Sequence, residues 1–471
     1  MPWLIIWILV YLAVIIWFTA RHVRRNDPEQ YLVNNRNTAL LPLVFTTLAT
    51  FVGGGTSIGL IAMGYESGFA AIGIGLAYVS GFMILYRYAG RIRDFGALQR
   101  IYTFPHYLLR QYTPGQTASF TRIFSSSVNG VNIFIFFFLL SAQFVGMASL
   151  LKHGFGMGYQ TAAVVSALTI ILYTALAGLS GVIYTDMIQF VAIVLMIVFI
   201  FIPGVWSDTL GFTRLTELPL EMLNGTFYGY TFLIGLLLFL SPSVLVRMDI
   251  WQRMLAARDA RTARKAAFWS GMGMLPFYII FPLVGMSVRI ALGDQVNPND
   301  ATYFFIEKHG GAFVAAFAIT GLLAALMSSG DSFLNIISIS AIRDFAGWRK
   351  TERTSAADGQ KGIRIVTVVF GIIALILALT FPYIVDLMVV GIGTIVIFVP
   401  ATLLALTHPQ PNRFARTALT SVLAGFVVNT LFFVLGLLQP DLFEPKSSFI
   451  PAFIVSAMIM TIGYFTKSKA S

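Results

Sequence analysis

Two short stretches hold most of the chemistry this chain could do. The first reads Ala324-Ala325-Leu326-Met327-Ser328-Ser329-Gly330-Asp331-Ser332-Phe333-Leu334-Asn335. At about 100° per residue, Ala325, Ser328, Ser329 and Ser332 share one face of a helix. Two hydroxyls and a backbone carbonyl left uncovered by a small side chain make a hard-oxygen surface, suited to an alkali cation and to no soft metal. Close helix packing by small residues is the alternative use of such a face. The second stretch is Ala49-Thr50-Phe51-Val52-Gly53-Gly54-Gly55-Thr56-Ser57. Each glycine costs a helix interior ~1 kcal/mol, so three in a row make unwinding cheap. Unwinding would free the carbonyls of Ala49, Thr50 and Phe51, whose partners in an intact helix are the amides of 53–55. The next half-helix would begin near Thr56 with its positive end toward the gap.

Four charges lie in otherwise apolar surroundings: Asp186, Arg247, Asp249 and Asp331. Asp186 either neutralises an ion on its way in or caps a helix start. Arg247 either meets an anionic group of a solute, or snorkels outward or joins a gate salt bridge. On a regular helix, Arg247 and Asp249 face different ways and do not satisfy each other. Asp331 stacks with Asn335 one turn on and reads as a hydrogen-bonding hub. No Ser/His/Asp set or phosphate loop is placed where chemistry could occur, and the five histidines form no metal-ligand cluster. An enzyme is therefore not expected, nor an organic cofactor.

The elements that position these residues must be membrane helices. The chain has 471 residues, 57% hydrophobic and only 11% charged, with no cysteine and a mean hydropathy of +0.82. A soluble fold carries about a quarter charged residues. Unbroken apolar runs of twenty or so also exclude a β-barrel, whose strands alternate. An all-α polytopic membrane protein with 13 transmembrane helices is expected, at 3–20, 40–63, 69–86, 123–151, 160–181, 182–205, 229–252, 266–288, 311–342, 365–384, 387–407, 417–438 and 447–466. The first run lacks a basic start and a cleavage site, and reads as an anchor.

Loops 21–39, 87–122, 253–265, 343–364 and 408–416, with the tail from 467, hold 25 of the 31 Lys and Arg. The positive-inside rule then predicts a cell-membrane protein with its N-terminus outside and its C-terminus cytoplasmic. Topology accounts for the net charge of +11 without a nucleic-acid partner. Setting aside 1–39 (an extra helix and linker) and 408–471 (two C-terminal helices and a tail), ten spans remain. They divide into 40–205 and 229–407, joined by an outer loop, 206–228. Five crossings each is the arithmetic of a 5+5 inverted repeat, with ion and solute sites at the repeat interface. Ser241-Pro242-Ser243 lies at about the same depth in its half as the glycines do in theirs, and predicts a second break there.

Several motifs in order resemble the sodium:solute symporter family, the relatives of the sodium/glucose, sodium/proline and choline transporters. They are Glu29-Gln30-Tyr31-Leu32 with Asn35-Arg36, then Ala49 to Gly55, Tyr102 to Leu108, Gly178-Leu179-Ser180-Gly181 with Thr185 to Gln189, Gln252 to Arg258, and Ser328 to Asn335. The resemblance covers about 29–440. It implies a leucine-transporter-type scaffold and secondary active, sodium-driven uptake of a small organic solute by alternating access. The family's common sodium site maps onto backbone oxygens of Ala49, Val52 and Ala325 and the hydroxyls of Ser328 and Ser329. A second site in some members uses the acid matching Asp186. The solute is expected against Phe51, Gly53, Thr56, Ser241, Ser243 and Arg247. Gln143 is the main long polar group of the third span, where sialic-acid transporters place an arginine. Phe51 stands where the choline branch has tryptophan. A solute sensor on the same fold and a proton-coupled symporter are the alternatives.

Overall fold

The computed structural model describes residues 2–22, 28–345, 356–439, 442 and 447–468. Parts of the basic loops 21–39 and 343–364, and of the C-terminal tail, lie outside these residues. Among the described residues the chain is helical, with one isolated β-bridge, Thr38 to Ala257. Ten helices are long and apolar enough to cross a membrane, or eleven when the bent pair Leu40–Phe51 and Gly55–Ser67 counts as one. Two shorter apolar helices, Pro2–Trp17 and Tyr159–Ala175, stand where spans 3–20 and 160–181 were expected.

Helical hydrogen bonding runs from Tyr159 to Met196, but that stretch is no straight rod. Ile170 packs beside Gly330 and Met196 beside Gly321. Twenty-six residues of straight helix span about 39 Å, while nine residues along the serine helix span only about 14 Å. The chain must turn back between them, and the apolar stretches Tyr159–Ala175 and Gly181–Asp208 lie on either side of that turn.

The broken helix packs into the helix Ala260–Leu292, and the serine helix Ala312–Ile339 packs against Ala118–Phe155 and Tyr159–Met196. Contact at the first seam is close. A Cβ on Gly285 would lie 2.0 Å from the Ile61 carbonyl oxygen, and one on Gly64 would lie 2.2 Å from that of Pro282. Neither backbone can yield. Gly285→Ala should therefore cost ~2–3 kcal/mol or more, as overpacking does. Thermal unfolding of the purified protein checks this against Gly130→Ala, a helix-interior change whose added methyl meets nothing within 4 Å and which should hold or raise the midpoint.

Helix Ala260–Leu292 starts at Asp259, whose carboxylate accepts the Thr262 amide at 2.7 Å. That capping bond holds the Asp259 carboxyl below its usual range. The same end of the bundle is tied by a backbone clasp. The Thr38 amide donates to Ala256 O at 3.0 Å, and the Arg258 amide to Thr38 O at 3.1 Å. Arg93 donates to the carbonyls of Ala257 and Arg258. Arg36 reaches Ile101 O at 2.7 Å and pairs with Glu29 at 2.9 Å. The motif around Glu29 and Arg36 is thus a strap joining the approach to the first broken helix with the exit of the second.

Candidate functional site

The helix Leu40–Phe51 ends where the glycines begin. Val52 leaves helical geometry (φ −83°, ψ 27°), and the chain resumes after a π-turn, Gly55–Gly59, as Leu60–Ser67, bent by 59°. The freed backbone groups find partners across the gap. The Gly54 amide donates to Gln143 Oε1 at 2.8 Å, and the Thr50 carbonyl accepts the Ser329 hydroxyl at 2.7 Å. The loop stands so near the serine helix that a Cβ on Gly53 would sit 2.2 Å from Ser329 Oγ.

Ala325, Ser328, Ser329 and Ser332 are all buried, and the two central hydroxyls diverge. Ser329 Oγ donates to Thr50 O and sits 3.4 Å from Ala325 O, facing the break. Ser328 Oγ donates to Asp186 Oδ1 at 2.5 Å. The structure brings Ala49, Val52, Ala325, Ser328, Ser329 and Asp186 into one buried region. Asp186 caps no helix start: it lies inside its helix, fully buried, and accepts hydrogen bonds from Ser328 and Thr46.

The group that hydropathy missed is Arg253. It was assigned to loop 253–265, because apolar windows stop at a charge. The helix Met248–Ala256 instead carries it inward, and it is 1% exposed. Its guanidinium donates to Thr46 at 3.2 Å, to the Asp249 carbonyl at 2.8 Å, to Ser332 at 3.1 Å and to Thr50, and lies 3.3 Å from Asp186 Oδ2. The positive partner of Asp186 is built into the chain. The run Gln252-Arg253 was visible as a motif, but its burial was not.

The second break is displaced from its expected position. Ser241–Ser243 is helical, and the extended residue is Arg247 (ψ 121°), between the turn Val244–Val246 and the helix Met248–Ala256. Pro242 sits at the start of a helical segment, where its missing N–H costs little, and the π-turn Leu236–Leu240 precedes it. Ser241 meets Ser80 at 2.5 Å and Ser243 donates to Leu240 O at 2.6 Å; neither lines the cavity described below. The Leu245 carbonyl, freed at the true break, accepts the Trp251 indole N–H at 2.7 Å.

Because Arg247 is not helical, the expectation that it cannot satisfy Asp249 fails as well. Arg247 Nε and Nη2 donate to the two oxygens of Asp249 at 3.0 and 2.6 Å, both residues buried. Its guanidinium carbon lies 4.2 Å from the Phe51 ring centroid. Between the two breaks lies a cavity of about 20 Å³, room for little more than one water, which needs ~10–15 Å³. Phe51, Gly53, Thr56, Gln143 and Arg247 line it, as expected for a solute site, together with Thr50 and Ser329. Tyr78 and Tyr278, which no sequence motif singled out, line it too, and Thr56 Oγ1 lies 3.2 Å from the Tyr278 hydroxyl. Asp331 accepts from the Tyr173 hydroxyl but does not pair with Asn335, so the expected hub is not formed. Its other oxygen and both amide atoms of Asn335 are buried without a hydrogen-bond partner.

A helix broken beside a buried serine pair, with a small cavity at the break, is an arrangement that a membrane transporter can use. Comparison with known proteins agrees. The family model described as the sodium:solute symporter family matches residues 31–425. Among curated relatives, the osmoregulated proline transporter OpuE of Bacillus subtilis is 23% identical, over 96% of this chain and 92% of its own length. The human high affinity choline transporter 1 is 24% identical, over 80% of this chain and 67% of its own. Among solved structures, a substrate-bound, outward-open Na+-coupled sialic acid symporter superposes with a TM-score of 0.77 at 17% identity, covering 98% of this chain and 95% of its own. The chain belongs to the sodium:solute symporter family. It is a multi-pass membrane protein that couples sodium to the symport of a small solute.

Proposed function

We propose that the chain takes up a small organic solute with one sodium ion per cycle, the ion held by the oxygens of Ala49, Val52, Ala325, Ser328 and Ser329. The observation that carries this reading is the Ser329 hydroxyl placed 2.7 Å from the Thr50 carbonyl at the break. A cation there draws the first broken helix onto the serine helix. The solute site is the adjoining cavity at Phe51, Gly53, Thr56, Gln143 and Arg247, with Ser329 shared between the two sites. Ion and solute thereby stabilise one another, a reciprocal coupling of typically ~1–3 kcal/mol. A single sodium is favoured because Arg253 already neutralises Asp186, where a second ion would sit.

The scaffold in this reading is thirteen crossings, with 40–205 and 229–407 as inverted repeats and 206–228 as the outer loop. The N-terminus lies outside and the C-terminus and the backbone clasp lie in the cytoplasm of a cell-membrane protein, as the basic loops require. Alternating access then tilts the broken helices against the serine helix and its neighbours. In proteoliposomes, an inward sodium gradient should drive solute accumulation, and a sodium ionophore should abolish it. Accumulation driven equally by a pH gradient without sodium would overturn the reading.

A further inference from the structure

Resting on that reading, we infer that the solute is a small monocarboxylate whose remaining part is uncharged, anchored on Arg247. A guanidinium offers two hydrogen-bonding edges. Asp249 takes the edge made by Nε and one Nη2 hydrogen, at 3.0 and 2.6 Å. Arg247 also lines the cavity, beside Tyr78, and the fork of Nη1 and the second Nη2 hydrogen, which Asp249 does not take, matches a carboxylate. Asp249 also fixes the guanidinium in place, so little side-chain freedom is lost when a solute arrives.

The walls argue against other charge types. Among the described residues, no Asp or Glu lines the cavity. The Phe51 ring face, a natural seat for a quaternary ammonium, is already covered by Arg247 at 4.2 Å. Three acceptors at the break already hold a hydrogen bond, which a zwitterion's ammonium would have to share. Gln143 Oε1 takes the Gly54 amide, Gly53 O takes the Thr56 and Ser57 amides, and Thr50 O takes Ser329. Leu139, Phe333 and Met388 form an apolar side of the cavity; at about 20 Å³ it must widen to take any solute, and a chain of a few carbons asks least of it.

The test is thermal unfolding of the purified protein in sodium or potassium chloride, with acetate, propionate, lactate, proline, choline or glucose. The monocarboxylates should raise the midpoint in sodium, and proline, choline and glucose should not. Arg247→Lys replaces the fork with a point charge and should weaken carboxylate binding at least tenfold. Arg247→Gln alone strands Asp249, so the pair is removed together: R247Q/D249N should keep its sodium-dependent shift and lose the carboxylate one. Should the double variant not fold, Arg247→Lys decides. No response to any monocarboxylate, unchanged carboxylate affinity in these variants, or a response to proline or choline as strong as to propionate overturns the proposal. Carboxylate stabilisation of equal size in sodium and potassium would support it and count against sodium coupling. Sodium-driven uptake of choline with no carboxylate response would do the reverse.

Discussion

Protein carrying Ser328→Ala together with Ser329→Ala is expected to lose sodium-driven uptake while still inserting and folding. Each hydroxyl has a defined second task, donation to Asp186 or to Thr50 O, and its lone pairs are what a dehydrated cation would meet. Interactions with a charged group are worth ~1.5–3 kcal/mol each, so losing two lowers sodium affinity by a factor on the order of 10²–10⁴. At ordinary sodium concentrations that is a complete loss. Sodium-dependent uptake in proteoliposomes and the sodium-dependent shift in unfolding midpoint both measure it. Thr320→Ala, whose hydroxyl bonds only to Ala316 O of its own helix at 2.9 Å, should stay sodium-dependent. Unchanged uptake in the double-serine variant would remove the ion site from this position.

Arg253→Gln should be the most destabilising single change in the interior. Arginine and aspartate are both buried, and the guanidinium also holds Thr46 and Thr50 of one helix and Ser332 of another. Removing one partner of a buried pair costs ~3–5 kcal/mol, because the other charge is left uncompensated. Asp186→Asn should show a similar loss. Arg253→Gln/Asp186→Asn removes both charges, so its midpoint should recover well above the sum of the single losses. The coupling energy of that cycle, read from unfolding midpoints and folded yield, tests whether the pair acts as a unit. Simple additivity would show that it does not.

What the sequence made legible follows from periodicity and composition. Hydropathy located the spans, and three glycines located the first break. The 3.6-residue period placed Ser328 and Ser329 on a shared face. Each of these signals is local. The misses required knowledge of partners far along the chain. Arg253 is tolerated inside only because Thr46, Asp186 and Ser332 converge on it from distant segments. Arg247 and Asp249 pair only because the helix fails at Arg247, and Pro242 drew attention to the wrong place. Proline interrupts a helix in its middle, not at the start of a new segment. Tyr78 and Tyr278 sit in apolar spans where an aromatic ring ordinarily means core, so nothing in their spacing set them apart.

The strap at Thr38, Arg93 and residues 256–258 has a mechanical corollary. It fastens the lead-in of one interrupted helix to the tail of the other through main-chain bonds rather than flexible side chains alone. Two rods pinned at a common end cannot tilt one after the other; they pivot as a single crank. In the proposed cycle, that linkage would tie the release of ion and solute to one movement.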